Sequence, residues 1–211
     1  PFTSELLSFN ANLSIAKQIT PSTSIGAAAT VGFGLLQLGT TGESGPDIPT
    51  GQFGGTTASV HDTGARFSLG ITQQVSETIV LSALYKSKLK YEFEDVTFTT
   101  VAPEGFQTLT VEQPAEYVLG AAMHLSPLWL VEIDIQRNLW GDASTYQDIY
   151  EDQTIFMLGT QYTLGDWRFR LGYSHQSDQF REEPNNSINS LHGLGSIPLP
   201  LVGNDLIKIV Q

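Results

Sequence analysis

Along most of this chain apolar and polar side chains alternate one by one, in runs longer than a soluble strand needs. Leu7, Phe9, Ala11, Leu13 and Ile15 alternate with Ser8, Asn10, Asn12 and Ser14. Ile25, Ala27, Ala29, Val31, Phe33 and Leu35 alternate with Ser24, Gly26, Ala28, Thr30, Gly32 and Gly34. The same period runs through 65–71, 79–93, 115–125, 129–136, 156–164 and 167–176. Successive strand side chains point to opposite faces, so this pattern predicts eight strands, each with one apolar face. A soluble strand averages about 5–6 residues, whereas a tilted strand needs about 9–11 to cross hydrocarbon. Several of these runs reach the second length.

The connections sort by length. Thr20-Pro21-Ser22, Val75-Ser76-Glu77, Ser126-Pro127 and Gly165-Asp166 read as tight turns. Between them lie long polar links over 39–62, 94–108, 138–152 and 177–205. Strict alternation of short and long links is the habit of transmembrane barrels, with turns on the periplasmic side and loops outside. A soluble sandwich has no reason to sort its loops this way. Tyr91, Phe93, Tyr117, Trp129, Tyr162, Trp167 and Tyr173 fall toward segment ends, where a membrane interface favours an aromatic ring with a polar edge.

The charges obey the same parity. An Arg or Lys facing lipid at mid-bilayer costs about 2–4 kcal/mol. Arg66, Lys86, Glu116, His124, Glu132, Asp134, Arg168 and Arg170 fall opposite the apolar residues of their segments and are the candidate lumen-lining and substrate-contacting set. Lys88 and Lys90 continue the parity of Lys86 and are expected in the wall above the membrane.

Composition excludes other classes. A net charge of -12 with a pI near 4.5 disfavours nucleic acid as a partner. No cysteine is present, so there are no disulfides and no thiolate metal sites. The longest apolar stretch, 25–36, is too short for a membrane helix and carries Gly26, Gly32 and Gly34. The opening Pro1-Phe2-Thr3-Ser4 and the closing Leu206-Ile207-Lys208-Ile209 read as mid-protein sequence, the latter as the start of a ninth strand.

Motifs that suggest chemistry are weak in context. Asp62-Thr63-Gly64-Ala65 matches the aspartic-protease signature, but those enzymes need two such carboxylates and this chain has one copy. His61, His124, His175 and His192 show no metal-ligand spacing. Neither a catalytic constellation nor a cofactor is expected. Glu92, Glu94 and Asp95, with Asp142, Asp148, Glu151 and Asp152, read first as solvated loop charge and second as cation bridges to lipopolysaccharide. The apolar stretch 197–202, broken by Pro198 and Pro200, either greets a greasy substrate or packs over the barrel mouth.

Several strands resemble the FadL/TodX family of outer-membrane transporters. Leu158-Gly159-Thr160-Gln161-Tyr162 followed by Trp167-Arg168-Phe169-Arg170-Leu171-Gly172-Tyr173-Ser174 is similar to that family's "LGAEY…WTLRAGYA". Leu81-Ser82-Ala83-Leu84-Tyr85-Lys86-Ser87-Lys88 resembles its "GLSYRSKV", and Gln113-Pro114-Ala115-Glu116-Tyr117-Val118-Leu119-Gly120-Ala121-Ala122 its "LPASLTLGAAY". The stretch 12–26 resembles a strand, tight turn and strand of the same family, and the matches run in family order. The resemblance implies a barrel of roughly fourteen strands, plugged by an N-terminal hatch, that passes long-chain fatty acids or aromatic hydrocarbons by diffusion. Residues 1–211 would form a single barrel-domain fragment of eight to nine strands, lacking the hatch and the closing strands. The family's ligand-binding residues therefore cannot be carried over.

The expectation is an all-β transmembrane antiparallel barrel in the bacterial outer membrane, surrounded by lipid and lipopolysaccharide, monomeric when intact and not an enzyme. It would take up hydrophobic small molecules passively. The alternatives are a general or ion-selective porin, with Arg168 and Arg170 facing Glu132 and Asp134 across a constriction, and a soluble all-β binding module.

Overall fold

The computed structural model describes residues 2–40, 53–55, 59–99, 105–144, 146, 147 and 149–180. In chain order the strands are β1 (Phe2–Thr20), β2 (Thr23–Thr40), β3 (Phe53–Gly55), β4 (Val60–Gln74), β5 (Ile79–Lys86), β6 (Leu89–Thr99), β7 (Gly105–Gln113), β8 (Glu116–Ser126), β9 (Trp129–Asn138), β10 (Gln153–Leu164) and β11 (Trp167–Gln176), with a 3₁₀ turn over Trp140–Asp142. Eight strands form one antiparallel sheet in the order β1-β2-β4-β5-β8-β9-β10-β11. The tight turns gather at one end of this sheet and the long connections at the other, as the sequence predicts. Gly165, at φ +57, supplies the left-handed residue that the last tight turn needs. The sheet does not close among the described residues: β1 and β11 are its two edges.

One face of the sheet is apolar and open. Leu13 is 79% exposed, Leu119 60%, Ile133 52% and Leu171 75%, and their neighbours Phe9, Val31, Phe67, Leu81, Leu158 and Phe169 are exposed with them. Exposing a large apolar side chain to water forfeits about 1.5–3 kcal/mol. A soluble sheet would bury this face, and a face of this extent implies an apolar solvent. Trp129 and Tyr162 stand opposite each other on it beside Trp167, and at the other end Tyr85 and Tyr117 pack 4.9 Å apart. The rows of Tyr117 and Trp129 lie nine residues apart along β8 and eight along β9. At about 3.4 Å per residue and a tilt of about 40°, that is about 21–23 Å, close to the apolar band of about 25 Å around an outer-membrane barrel.

Three sequence expectations are corrected. The link 94–108 is not a polar loop, because β6 and β7 occupy much of it and pair as a hairpin, joined by β3 in a small second sheet. The segment 79–93 is not one wall strand: it breaks after Lys86, and β6 turns onto the polar face of β2 and β4. Tyr91 and Phe93 therefore do not stand at a membrane interface. They are 1% and 0% exposed, in a core with Leu36, Leu38, Leu89 and Val96. Lys88 and Lys90 leave the wall with them. The stretch 197–202 and the ninth strand lie outside the described residues.

Candidate functional site

The polar face begins with one hydrogen-bonded pair between neighbouring strands and one from β1 to β6 of the second sheet. Thr30 Oγ1 donates to Asn12 Oδ1 at 2.6 Å, and Ser8 Oγ lies 2.8 Å from the Tyr91 hydroxyl. The eight candidate residues all fall on this face by register. Lys86 sits opposite Ser68 and Glu116; Asp134 opposite Gly120; Glu132 opposite Ala122 and Gly159; Arg170 opposite Gln161; Arg168 opposite Thr163; His124 opposite Leu130. Arg66 sits opposite Thr30, two residues before Ser68 in β4.

Three of the eight come together. Lys86 Nζ donates to Glu116 Oε2 at 2.9 Å, and Arg66 Nη1 lies 3.6 Å from Glu116 Oε1. All three side chains are at least two-thirds buried. The triad is one carboxylate short of neutral, and Arg66 keeps Nε and Nη1 buried without a hydrogen-bond partner. The other five do not join it. Arg170 Nε donates to Gln161 Oε1 at 2.7 Å, and His124 stands exposed. Arg170 and Glu132 lie on the same wall two strands apart, and no ion pair joins the arginines to Glu132 or Asp134. The opposed-charge constriction expected of a porin is thus not formed among the described residues.

Above the triad the wall is covered by the β6–β7 hairpin, which the sequence reading did not foresee. A side-chain carbon on Gly34 would lie 2.9 Å from the Phe93 ring, and one on Gly64 would meet the Lys90 carbonyl. Glycine at these positions lets the hairpin lie directly on the strand backbones. Polar latches hold it. Glu92 N–H donates to Asp62 Oδ2 at 2.6 Å, so Asp62 anchors the hairpin. Ser144 Oγ donates to Glu112 Oε2 at 2.9 Å, and Lys88 Nζ donates to the Asp142 carbonyl.

The connection after β9 packs beside the hairpin as an aromatic cluster. Trp140, Tyr146 and Tyr150 have centroids 5.3–5.5 Å apart, and Phe180 lies 5.2 Å from Tyr150. Burial raises the phenol pKa of Tyr146 above its usual value, helped by the neighbouring Tyr150 and Glu112. Asp152 is engaged internally, accepting from Gly141 N–H at 3.0 Å and Arg137 Nη2 at 3.1 Å. No carboxylate and histidine cluster among the described residues is arranged to hold a metal.

No family model matches the chain, and no curated protein matches it. Solved structures do. The toluene transporter TbuX of Ralstonia pickettii superposes with a TM-score of 0.59 at 20% identity, over 83% of this chain and 57% of its own. The CymD monoaromatic hydrocarbon channel gives 0.60 at 20% identity, over 86% and 62%. The toluene transporter TodX of Pseudomonas putida gives 0.57 at 20% identity, over 82% and 56%. The fold is that of an outer-membrane β-barrel. These are barrels of the family that the strand motifs resemble, and the chain spans a little over half the length of each. In such a barrel the apolar face meets lipid and the polar face meets the lumen.

The triad gives a first test. Glu116→Gln leaves Arg66 and Lys86 on one part-buried wall with no anion between them. A charged group that loses its partner in such a place costs on the order of 1–3 kcal/mol, reduced here by partial exposure to about 1–2 kcal/mol. The expected result is a lower urea midpoint for the lipid-reconstituted barrel with an unchanged slope. A midpoint equal to wild type would show that the triad adds nothing to stability.

Proposed function

We propose that this chain is the wall of an outer-membrane channel that takes up hydrophobic small molecules by diffusion, with monoaromatic hydrocarbons the first candidates. The observation that carries the reading is the fold likeness over 82–86% of the chain to channels described as monoaromatic hydrocarbon and toluene transporters. The blocked polar face supports it, since an in-folded hairpin over the wall suits a channel that admits no steady stream of ions. Long-chain fatty acids are the second substrate class, suggested by the strand motifs alone. Arg66, Lys86, Glu116, His124, Glu132, Asp134, Arg168 and Arg170 are the lumen-lining residues of this reading. Lipid and lipopolysaccharide would surround a monomer.

The test uses the intact protein in the outer membrane of cells that otherwise admit toluene slowly. Radiolabelled toluene should accumulate faster than in cells with the empty vector, and the purified protein should give little steady conductance in a planar bilayer. Large, ion-selective conductance without toluene uptake would overturn the reading in favour of a porin.

A further inference from the structure

We propose that the β6–β7 hairpin is a hinged gate, which lies folded over the polar wall when closed and swings about the edge of β4 into the wall when open. Four observations meet here. The register of β5 with β8, from Ile79–Met123 to Lys86–Glu116, continues without slippage as that of β6 with β7, from Leu89–Gln113 to Phe93–Leu109. The two pairs are one long hairpin, bent inward at Ser87-Lys88 on one strand and Pro114-Ala115 on the other. Proline lacks the N–H of a ladder bond, which suits a strand that must bend there.

The bend preserves the register with β4 as well. Extending the β4–β5 pairing beyond Ser68–Lys86 puts Phe67 opposite Ser87, Gly64 opposite Lys90 and Asp62 opposite Glu92. These are the contacts found. Ser87 N–H donates to the Phe67 carbonyl at 2.9 Å, Phe67 N–H donates to Ser87 Oγ at 3.0 Å, Gly64 abuts the Lys90 carbonyl, and Asp62 holds Glu92 N–H. The hairpin has turned about β4 like a leaf about its hinge and has not slid.

Among the described residues the place the upright leaf would fill is open: in the eight-stranded sheet β4 pairs with β5 only over Ser68–Gln74, and no described wall strand adjoins its Val60–Arg66 part on that side. An unpaired strand edge is a liability that another strand removes. Side-chain parity also fits the upright state: Leu89, Tyr91 and Phe93 would extend the outward stripe of Leu81, Ala83 and Tyr85, while Lys90 and Glu92 would extend the inward line of Lys86. The closed state, for its part, leaves Arg66 Nε and Nη1 and Trp140 Nε1 buried without a hydrogen bond. An upright hairpin would uncover Arg66. Closed, the leaf is held by its apolar core and by the Ser8–Tyr91 and Ser144–Glu112 bonds.

The gate rests on the barrel fold; only its consequence for uptake rests on the proposed function. Residues 1–211 contain no cysteine, so thiols introduced there are unique within this chain. Nitroxides at Glu5 and Glu94, both exposed, report the distance between β1 and the hairpin in the intact protein in lipid vesicles. Upright, Glu94 moves from above β2 to beyond β4, a sideways shift of about two strand spacings, about 10 Å, and the distance lengthens. Two distance populations are expected. A separate S8C/Y91C pair, joined by a short cleavable bis-thiosulfonate, locks the leaf down. With the pair joined, toluene uptake in cells should fall at least tenfold, returning on reduction. A single short population in the unlocked protein, or undiminished uptake by the locked one, overturns the gate. Two populations in a protein that never transports toluene would uphold the gate and sink the transport reading.

Discussion

Ile133→Arg is expected to destabilise the intact barrel in lipid by about 2–4 kcal/mol, the cost of a cation facing hydrocarbon at mid-bilayer. Ile133 is the right position because β9 runs from Trp129 in one aromatic row to Arg137, opposite Tyr117, in the other, with Ile133 midway and outward. Its ladder neighbours on both sides, Ala121 and Leu158, are apolar, so no carboxylate is at hand to receive the guanidinium. Among the described residues the charges on this face keep to its rims: Arg137 at the row of Tyr117, bound to Asp152 and Thr154, Lys17 near the first tight turn and Glu5 toward the other end of β1. Ala122→Arg provides the comparison. It lies at a similar height on the other face, opposite Glu132, and should change stability by no more than about 0.5 kcal/mol, as surface substitutions usually do. Urea unfolding in vesicles reads both. A soluble sheet would invert the expectation, since Arg at an already exposed Ile133 would then be harmless. Equal midpoints for the two variants would remove the membrane from this protein.

How far the sequence carried this fold follows from what period 2 encodes. Alternation specifies which side chains share a face, and the eight charged candidates were assignable to the polar face because parity survives any register that keeps the apolar set together. It does not specify where a strand leaves the sheet. From Ile79 to Phe93 the apolar parity is kept, interrupted only by Ser87, where the chain bends. Leu89, Tyr91 and Phe93 are apolar in either setting, against lipid or against the inner face of β2, so hydropathy cannot separate the two. Thr97, Thr108 and Thr110 made the stretch after them look like a polar loop, although Leu109 and Val111 retain the alternation and pack against the hairpin core. The Arg66–Lys86–Glu116 triad was hidden for another reason. Its members come from three strands, and only the pairings of β5 with β4 and β8 bring them to one point. One signal was available: Gly32, Gly34 and Gly64 all fall on the polar face and leave a smooth patch that a packed element requires.

That patch carries the second large effect. Gly64→Ala should undock the β6–β7 hairpin, while Gly70→Ala, six residues on in the same strand and on the same face, should not. A methyl at Gly70 meets Leu84 Cδ1 at 3.6 Å and the Ala83 carbonyl at 3.7 Å, ordinary contact, and alanine suits a strand better than glycine. At Gly64 the obstacle is the Lys90 carbonyl, with Leu89 Cδ1 at 2.8 Å. A side chain could rotate away, but a backbone carbonyl moves only with its strand, and in the closed state β6 is held by the Asp62 latch and the fully buried Leu89 and Phe93. Overpacking a core costs about 1–3 kcal/mol, and a backbone collision belongs at the upper end, enough to raise local opening about a hundredfold at about 1.4 kcal/mol per tenfold. Gly32→Ala is intermediate: it meets the Tyr91 hydroxyl, which can withdraw by giving up its bond to Ser8. Hydrogen exchange over 89–113 reads the result as protection lost in the order Gly64, Gly32, Gly70, with the wall strands β8 and β9 unchanged. Were Gly64→Ala to leave that protection intact, the hairpin would not lie on the wall of β4, and the polar face beneath it would be open along its length.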